Sequence, residues 1–415
     1  MERKLNFICD TLDEIPKEYY FSQHKLNDTE SFRKILVLLN DYFQFTDIKK
    51  CTIDDVFLNP DQNYYYIIQN LQNNRFLNNC LYFGENLENL LRQNKNLKVV
   101  LLNESESDRE EHFYILNNIL RMKDIDGSQF FVINNNDLLK RYKQNCQSNI
   151  NVHSIDFIPI HTVKKYKLSN PEFKENKKFT FTIHNKRLRS HRHLLLSMLQ
   201  KDNILNECDW SSLENWRFKN DHVFGGVINY DFFQNIISKE DFENLKESVN
   251  KISETDVKKS TLENNECFCG LEKTESFNIV INNIIDVNPY KESYVNIVNE
   301  TYFDLNEIHI TEKSFIPFNF YQIPLIVATK HHVKRLIERY DFDMFTDLID
   351  ISYDNEDDHR IRIKLIYNEI YKLYQNRDKL VNFYVNNKDR FYKNREKMLS
   401  ILNDKRGHEF FQSLI

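Results

Sequence analysis

Three charged side chains stand inside two apolar runs between residues 295 and 324: Glu300, Glu312 and Lys313. A buried carboxylate or ammonium group costs several kcal/mol unless it is paired or meets a ligand. Thr311 directly precedes Glu312 and Lys313 and is predicted to be the N-cap of a helix. A carboxylate can accept hydrogen bonds from ribose hydroxyls, and an ammonium group can face phosphate. The segment therefore predicts a nucleotide site, and a capped helix with a surface lysine is the alternative.

A second group of charges is formed by Arg187, Arg189 and Arg192. These arginines follow a predicted strand and overlap the start of a predicted helix, for which Ser190 is the expected N-cap. The N-terminus of a helix is already partly positive, so cations there are unfavourable unless an anion binds between them and the free backbone N–H groups. The arginines therefore predict a phosphate or pyrophosphate site. A solvated basic loop is the alternative, because exposed charges cost little.

Two acids, Glu104 and Glu106, come directly after the apolar run at residues 97–102. Ligands of open α/β sheets bind beyond the carboxyl ends of the strands, so one of these acids is expected to reach a binding cleft and act as a general base. Acids in this position also serve as turn residues or helix caps, which is the competing interpretation.

The elements that would position these residues alternate along the chain between strands and helices. Such alternation is typical of parallel βαβ units and predicts an α/β protein. Short apolar runs predict strands at residues 97–102, 129–133, 152–160, 179–183, 277–285, 294–298 and 325–328. Apolar residues at helical spacing predict helices at residues 32–45, 112–122, 137–144, 191–199 and 332–339.

The length of 415 residues predicts two domains. Residues 166–178 are rich in lysine and turn residues and are interpreted as a linker between an N-terminal lobe over 1–165 and a C-terminal lobe over 179–358. We expect two Rossmann-like lobes whose parallel sheets face a central cleft. The tail at 359–415 has apolar residues at helical intervals, which predicts one or two amphipathic helices, through residue 399, that pack on the lobes. A basic arm for nucleic acid is the alternative for this tail.

Composition and missing motifs exclude several classes of protein. The net charge of −6 is unlike that of a protein held mainly by nucleic-acid backbones. The glycine-rich phosphate loops of P-loop ATPases, kinases and common dehydrogenases are absent from a sequence with 6 glycines. No metal site is predicted, because Cys267 and Cys269 lack a second pair at zinc-finger spacing. The segment Asp341-Phe342-Asp343 is interpreted as a helix-ending turn rather than a cation site.

The cellular setting is inferred from the cysteines and the hydropathy pattern. The 7 cysteines are scattered and odd in number, unlike a disulfide framework. No apolar run reaches the length of about 18 residues that a membrane span requires. We therefore expect a cytoplasmic protein without a membrane span. The scarcity of alanine and glycine is typical of an AT-rich coding sequence, which points to a virus or a low-GC bacterium.

The segment Thr311-Glu312-Lys313, followed by Phe, Pro and a buried strand, resembles the donor-binding half of the alpha-1,3-fucosyltransferases and related two-lobed GT-B glycosyltransferases. An Asn-x-x-x-Glu pattern, Asn296 to Glu300, precedes it. Asn185 and the later Arg192 resemble the Ser-Asn element and helix arginine of that family, with His184 in place of the usual Ser. The similarity covers mostly residues 179–350. The interval from Glu300 to Thr311 is longer than we expect for fucosyltransferases.

The resemblance extends to the N-terminal lobe, where residues 103–107 are similar to a Glu-Asn-Glu element of the family. It implies an inverting, metal-independent transfer of a sugar from a nucleoside-diphosphate donor to a hydroxyl acceptor, with no cofactor. Glu104 is the implied base, with Glu106 beside it, and GDP-fucose is the leading donor. Arg192 and Lys313 are expected on the diphosphate, and Glu312 is expected on the ribose. The implied donor-binding set is Asn185, Arg187, Arg189, Arg192, Glu300, Thr311, Glu312 and Lys313.

Two other functions remain open from the sequence. The first is a phage glycosyltransferase that modifies a hydroxymethylpyrimidine base in DNA, which would require a basic groove. The second is a catalytically inactive GT-B-like protein that serves in binding or structure. The expected partners are a nucleotide sugar and a hydroxyl acceptor, either a glycan or a modified DNA base.

Overall fold

A computed structural model describes the chain over residues 4–8, 45, 48–70, 85–103, 110–134, 139–155, 171–185, 189–212, 230, 235–242, 288–304 and 308–414. The described residues form two compact units. The first unit contains the residues up to 155 and again those from 403 to 414, and the second contains those from 171 to 402. Each unit is built on one parallel sheet with helices, so the predicted α/β class is confirmed.

The first unit has a six-stranded parallel sheet in the order β2-β1-β3-β4-β5-β6. This is the 2-1-3-4-5 order of a doubly wound sheet, extended by one strand. The strands are β1 Leu5–Ile8, β2 Ile48–Cys51, β3 Tyr64–Asn70, β4 Leu97–Asn103, β5 Phe130–Asn134 and β6 Asn151–Ser154. The helices that the structure describes between them are α1 Ile53–Leu58, α2 Glu85–Gln93, α3 Glu110–Met122 and α4 Leu139–Asn145.

Both faces of this sheet are covered, which explains why β4 has apolar residues at four successive positions, 99–102. Val99 packs in one core with residues of α2 and α3 such as Leu91 and Leu116. Its neighbour Val100 points to the opposite face and packs in a second core with Phe411. Parallel strands buried on both faces need apolar residues at successive positions rather than at alternate ones.

The second unit has a four-stranded parallel sheet in the order β8-β7-β9-β10. The chain passes from β7 to β8 on one side and then returns to β9 and β10 on the other. The strand order therefore reverses between β7 and β9, the point where doubly wound sheets bind ligands beyond their strand ends. The strands are β7 Phe179–Asn185, β8 Cys208–Ser212, β9 Ser293–Asn299 and β10 Ile323–Val327.

The structure describes seven helices in the second unit. They are α5 Ser190–Lys201, α6 Asn288–Lys291, α7 Ile316–Asn319, α8 His332–Tyr340, α9 His359–Gln375, α10 Arg377–Asn386 and α11 Lys388–Ser400. The last described helix, α12 Arg406–Ser413, lies in the first unit, where Phe410 and Phe411 belong to the same core as Phe7. The tail at 359–415 is thus divided between the two units after residue 402.

The predicted number of helices in the tail is wrong, because three helices cover the part expected to form one or two. Helices α9 and α10 are each ended by a single asparagine. Asn376 and Asn387 leave helical geometry, and the side-chain Nδ2 of each donates to the carbonyl four residues earlier, on Lys372 and Phe383, at 2.8 Å. Asparagine competes for backbone carbonyls in this way. A one-residue break barely disturbs the apolar period, so the pattern alone does not reveal it.

The other predicted elements agree with the structure wherever it describes them, with ends that shift by a few residues. The predicted strand at 277–285 and the predicted helix at 32–45, except residue 45, lie outside the described residues.

A lysine is buried at the amino-terminal ends of β7 and β9. The Lys177 ammonium donates to the carbonyl oxygens of Ser293, at 3.0 Å, and Tyr321, at 3.4 Å, and lies 4.8 Å from the centroid of the Tyr384 ring. Burial lowers the pKa of Lys177 to about 7, since the charged form loses its hydration.

This depressed pKa predicts a pH-dependent stability. The ordinary pKa of lysine is 10.5, so between about pH 7 and pH 10 the folded protein binds fewer protons than the unfolded chain. The free energy of unfolding should then rise with pH across this window, by on the order of 4 kcal/mol. Lys177→Met should flatten the rise in urea titrations at several pH values.

The neighbouring Lys178→Met is the matched control, because Lys178 is exposed. In this control the free energy of unfolding should rise with pH as steeply as in the wild type. Equal slopes in the wild type and the Lys177 variant would contradict the prediction.

Candidate functional site

The carboxylate of Glu300, directly after β9, is fully buried and receives four hydrogen bonds. The backbone N–H and the hydroxyl of Thr311 donate to it at 3.1 and 2.6 Å. The Ser314 hydroxyl donates at 2.7 Å and the Thr301 N–H at 3.2 Å. The partner that this buried charge was expected to need is therefore present inside the protein. The bonds tie the 3₁₀ turn Glu312–Phe315 to the end of β9.

The surroundings of Glu300 keep it ionised. Burial by itself raises the pKa of this carboxyl group, but the nearby Lys313 ammonium and the hydrogen bonds from Thr311 and Ser314 outweigh it and lower the pKa to about 2. His332 extends the network, with its Nε2 3.0 Å from the Ser314 hydroxyl. Burial also lowers the pKa of His332, so a neutral ring donates to Ser314, which in turn donates to Glu300.

Glu312 and Lys313 differ from Glu300, since 27% and 29% of their side chains are exposed. The expectation that all three charges are buried is wrong for these two, which stand at the first positions of the turn and reach the surface. The Lys313 ammonium lies 3.2 Å from the Glu312 carboxylate and 3.1 Å from the Thr311 hydroxyl. The predicted N-cap is confirmed, because the Thr311 hydroxyl also accepts from the Lys313 N–H at 3.3 Å.

Helix α5 begins at Ser190, and Arg189 takes the N-cap position with extended backbone. The predicted N-cap at Ser190 is therefore wrong by one residue. A guanidinium group has no hydrogen-bond acceptor, so Arg189 cannot cap the first-turn N–H groups as a serine would. Its guanidinium instead lies 5.7 Å from the centroid of the Tyr302 ring, two residues beyond Glu300.

The side chain of Arg192 is buried and joins α5 to the end of β9. Its Nη2 donates to the carbonyl oxygens of Asn299, at 3.0 Å, and Glu300, at 2.8 Å. His191 adds a contact, with its Nε2 3.3 Å from the Glu300 carbonyl and its ring stacked on Phe303. Burial and the neighbouring arginines lower the pKa of His191, so the ring is neutral and donates to this carbonyl. The expected contact of Arg192 with a diphosphate stays a prediction.

Asn185 and Asn299 are the last residues of the neighbouring strands β7 and β9. They stand three residues beyond Thr182 and Asn296, which are paired in the sheet. The side-chain Nδ2 of Asn299 donates to Oδ1 of Asn185 at 3.1 Å. The sequence did not single out Asn299. The available signal was a polar residue that ends a buried strand and directly precedes a buried acid.

Seven of the predicted donor-binding residues surround the carboxyl ends of β7 and β9, where the strand order reverses. They are linked by the contacts described above through Asn299, Glu300 and Tyr302. Arg187, Glu104 and Glu106 lie outside the described residues. The seven are Asn185, Arg189, Arg192, Glu300, Thr311, Glu312 and Lys313.

The segment Asp341-Phe342-Asp343 forms the helix-ending turn that the sequence predicts. Asp341 is the left-handed C-cap residue of α8, with φ 56°. Both oxygens of Asp343 accept from the Arg390 guanidinium, at 2.6 and 2.9 Å. Across the described ranges, no group of three or more His, Cys, Asp or Glu side chains is arranged to hold a metal ion.

No protein-family model matches this chain, and a search of curated proteins also finds no match. In the part of the chain that the structure describes, no helix has the length and apolar character needed to cross a membrane. Because no similar protein indicates a function, the evidence for one comes from the chemistry of the residues around β7 and β9.

The Glu300 network predicts the effect of removing its charge. Glu300→Gln should lower the free energy of unfolding by about 3 kcal/mol at pH 7, the value of the pKa shift from an ordinary 4.5 to about 2. Because the pKa of Glu300 is lower in the folded protein than in the unfolded chain, its ionised carboxylate stabilises the fold above about pH 4.5. This stabilisation is lost as the pH falls toward 2. Guanidinium titrations should show a smaller difference in the free energy of unfolding between variant and wild type at pH 3 than at pH 7.

The control is Glu338→Gln on α8, where the carboxylate is exposed beside Lys334. This control should change the free energy of unfolding by less than about 0.5 kcal/mol at both pH values. A Glu300→Gln variant as stable as the wild type at pH 7 would show that the network does not depend on the charge.

Proposed function

We propose that the second unit binds a nucleoside-diphosphate sugar and that the protein is a glycosyltransferase of the GT-B type. The observation that carries this proposal is the gathering of seven predicted donor-binding residues around the carboxyl ends of β7 and β9. Ligands of doubly wound sheets bind at the point where the strand order reverses. An α/β fold alone would not support the proposal, because one fold serves many functions.

The diphosphate is proposed to lie at the start of α5. The first-turn N–H groups and the partial positive charge of a helix N-terminus favour an anion there. Arg189 stands at the N-cap with a partly exposed side chain. Lys313 supplies a second cation whose ammonium group reaches the surface. Arg192, being buried, would act by fixing the start of α5 to β9 and by adding positive potential.

The ribose is proposed to lie at Glu312. Its carboxylate is acceptor-only when ionised and can take hydrogen bonds from two neighbouring hydroxyls. The Lys313 ammonium next to it lowers the pKa of Glu312 against the effect of burial, so the acceptor form is maintained. The pair is suited to a ligand that carries hydroxyls and phosphate side by side.

The proposed reaction is an inverting transfer. The acceptor hydroxyl oxygen attacks the anomeric carbon from the face opposite the diphosphate, and a carboxylate takes the hydroxyl proton. The bond from carbon to the diphosphate oxygen breaks, and its electron pair leaves with the diphosphate, whose charge the cations stabilise. Glu104 is the proposed base, Glu106 is the second choice, and GDP-fucose is the first donor to test.

A thermal-shift panel of GDP, UDP, CMP and their sugars tests donor binding. A ligand at about 100 times its Kd should stabilise the protein by about 2.7 kcal/mol. For the ligand that binds, Lys313→Ala should raise the Kd at least about tenfold, because it removes a charge-assisted contact to phosphate. Lys334→Ala is the control, since this exposed lysine of α8 carries the same charge. The absence of a shift with every nucleotide would contradict the proposal.

The proposed base has a separate test. Glu104→Gln should leave the Kd of the donor unchanged and abolish transfer, measured as nucleoside diphosphate released in the presence of a hydroxyl acceptor. Glu106→Gln should retain turnover. Turnover that persists in both variants would place the base elsewhere, and donor binding without turnover of any acceptor would favour a binding protein.

A further inference from the structure

The carboxamides of Asn185 and Asn299 make only one of the two hydrogen bonds that a facing pair of amides can form. Asn299 donates to Asn185 at 3.1 Å, and both side chains are buried, with relative exposures of 3% and 2%. Among the residues that the structure describes, Nδ2 of Asn185 and Oδ1 of Asn299 have no hydrogen-bond partner. Exchanging oxygen and nitrogen in both amides would reverse the bond and still leave one donor and one acceptor over.

Buried polar atoms without a partner are rare and costly in native proteins. The amide of Asn296, three residues earlier on β9, shows the usual arrangement, because its Nδ2 donates to Oε1 of Gln322 at 2.9 Å. The leftover donor and acceptor instead belong to two side chains that are hydrogen-bonded to each other at the end of the sheet where the strand order reverses. This is the end at which doubly wound sheets bind ligands.

We infer that Asn185 and Asn299 together bind one hydroxyl group of a ring sugar in the nucleotide-sugar ligand. The hydroxyl oxygen accepts from Nδ2 of Asn185, and the hydroxyl proton is donated to Oδ1 of Asn299. A hydroxyl both accepts and donates, whereas an ionised phosphate or carboxylate has no proton for Asn299 and an ammonium has no acceptor for Asn185. The inference rests on the proposed function, and the hydroxyl belongs either to the ribose or to the transferred sugar.

Neighbouring contacts hold this amide pair in position. Arg192 donates to the backbone carbonyl of Asn299, and the carboxylate of the following Glu300 is fixed by the Thr311 turn. The strand end therefore has little freedom to turn the Asn299 amide toward another partner. A rigid donor and acceptor pair discriminates strongly against a ligand that lacks the matching hydroxyl, because the buried atoms are then left unpaired.

Calorimetric Kd values test the inference on the full chain. The probes are GDP or UDP, whichever stabilises the wild type more, its 2′-deoxy and 3′-deoxy forms, and its nucleoside-diphosphate sugar. If the hydroxyl is on the ribose, one deoxy form should bind the wild type at least about tenfold more weakly than the parent. If it is on the transferred sugar, the deoxy forms should bind normally, and the sugar should improve the Kd by a similar factor.

Each comparison gives a ratio of two Kd values, either of a deoxy form to its parent nucleotide or of the nucleotide to its nucleotide sugar. In either case Asn299→Leu should bring the ratio that the hydroxyl affects close to one. Asn296→Leu is the control, because it removes an amide from the same strand whose partner is inside the protein; it should lower the melting temperature and leave the ratios unchanged. If Asn299→Leu does not fold, Asn299→Ser and Asn185→Ser give the same comparison.

The outcomes separate this inference from the proposed function. A nucleotide that binds with the same ratios in the wild type and the Asn299 variant would overturn the inference alone and assign the amide pair to a buried water. Equal changes in the Asn296 control would also overturn it, since general loosening would then explain the loss. The absence of any nucleotide binding would overturn both.

Discussion

The buried carboxylate of Glu300 is the interaction on which the candidate site depends. Its side chain accepts four hydrogen bonds, three of them from the segment that carries Glu312 and Lys313. Its backbone carbonyl accepts from Arg192 and has His191 Nε2 in contact, both on the first turn of α5. One residue at the end of β9 therefore positions two separate segments. Burial penalises the charge, and the Lys313 ammonium together with the hydrogen bonds from Thr311 and Ser314 keeps the carboxylate ionised.

Burial divides the charged residues of the site into two groups. Glu300 and Arg192 are buried, and their hydrogen bonds within the protein hold the site in shape. Arg189, Glu312 and Lys313 are partly exposed, which leaves their charged ends near solvent, where a ligand can meet them. A site of this kind combines a rigid support with a few exposed charges, as precise recognition requires.

Much of the fold was predictable because local patterns determine it. Strand β4 was located from its apolar run, and the Thr311 cap from a hydroxyl residue before an acid. Two predictions, the number of helices in the tail and the N-cap at Ser190, failed because one residue outweighs the pattern. Asn376 and Asn387 end helices through their own side chains, and Arg189 takes a cap position usually held by a serine. Apolar neighbours in the sequence also did not indicate burial for Glu312 and Lys313, since exposure depends on the direction of each side chain.

The sequence by itself determined the α/β class, most strand positions and the types of side chain that the candidate site contains. Only the tertiary structure brought Asn185 beside Asn299, which are 114 residues apart. It likewise placed Arg192 on the carbonyls of residues 107 and 108 positions away. The physical reason is that strand order and register follow from the packing of the whole sheet, and no local pattern encodes them. The pairing of the two amides is therefore a property of the folded sheet.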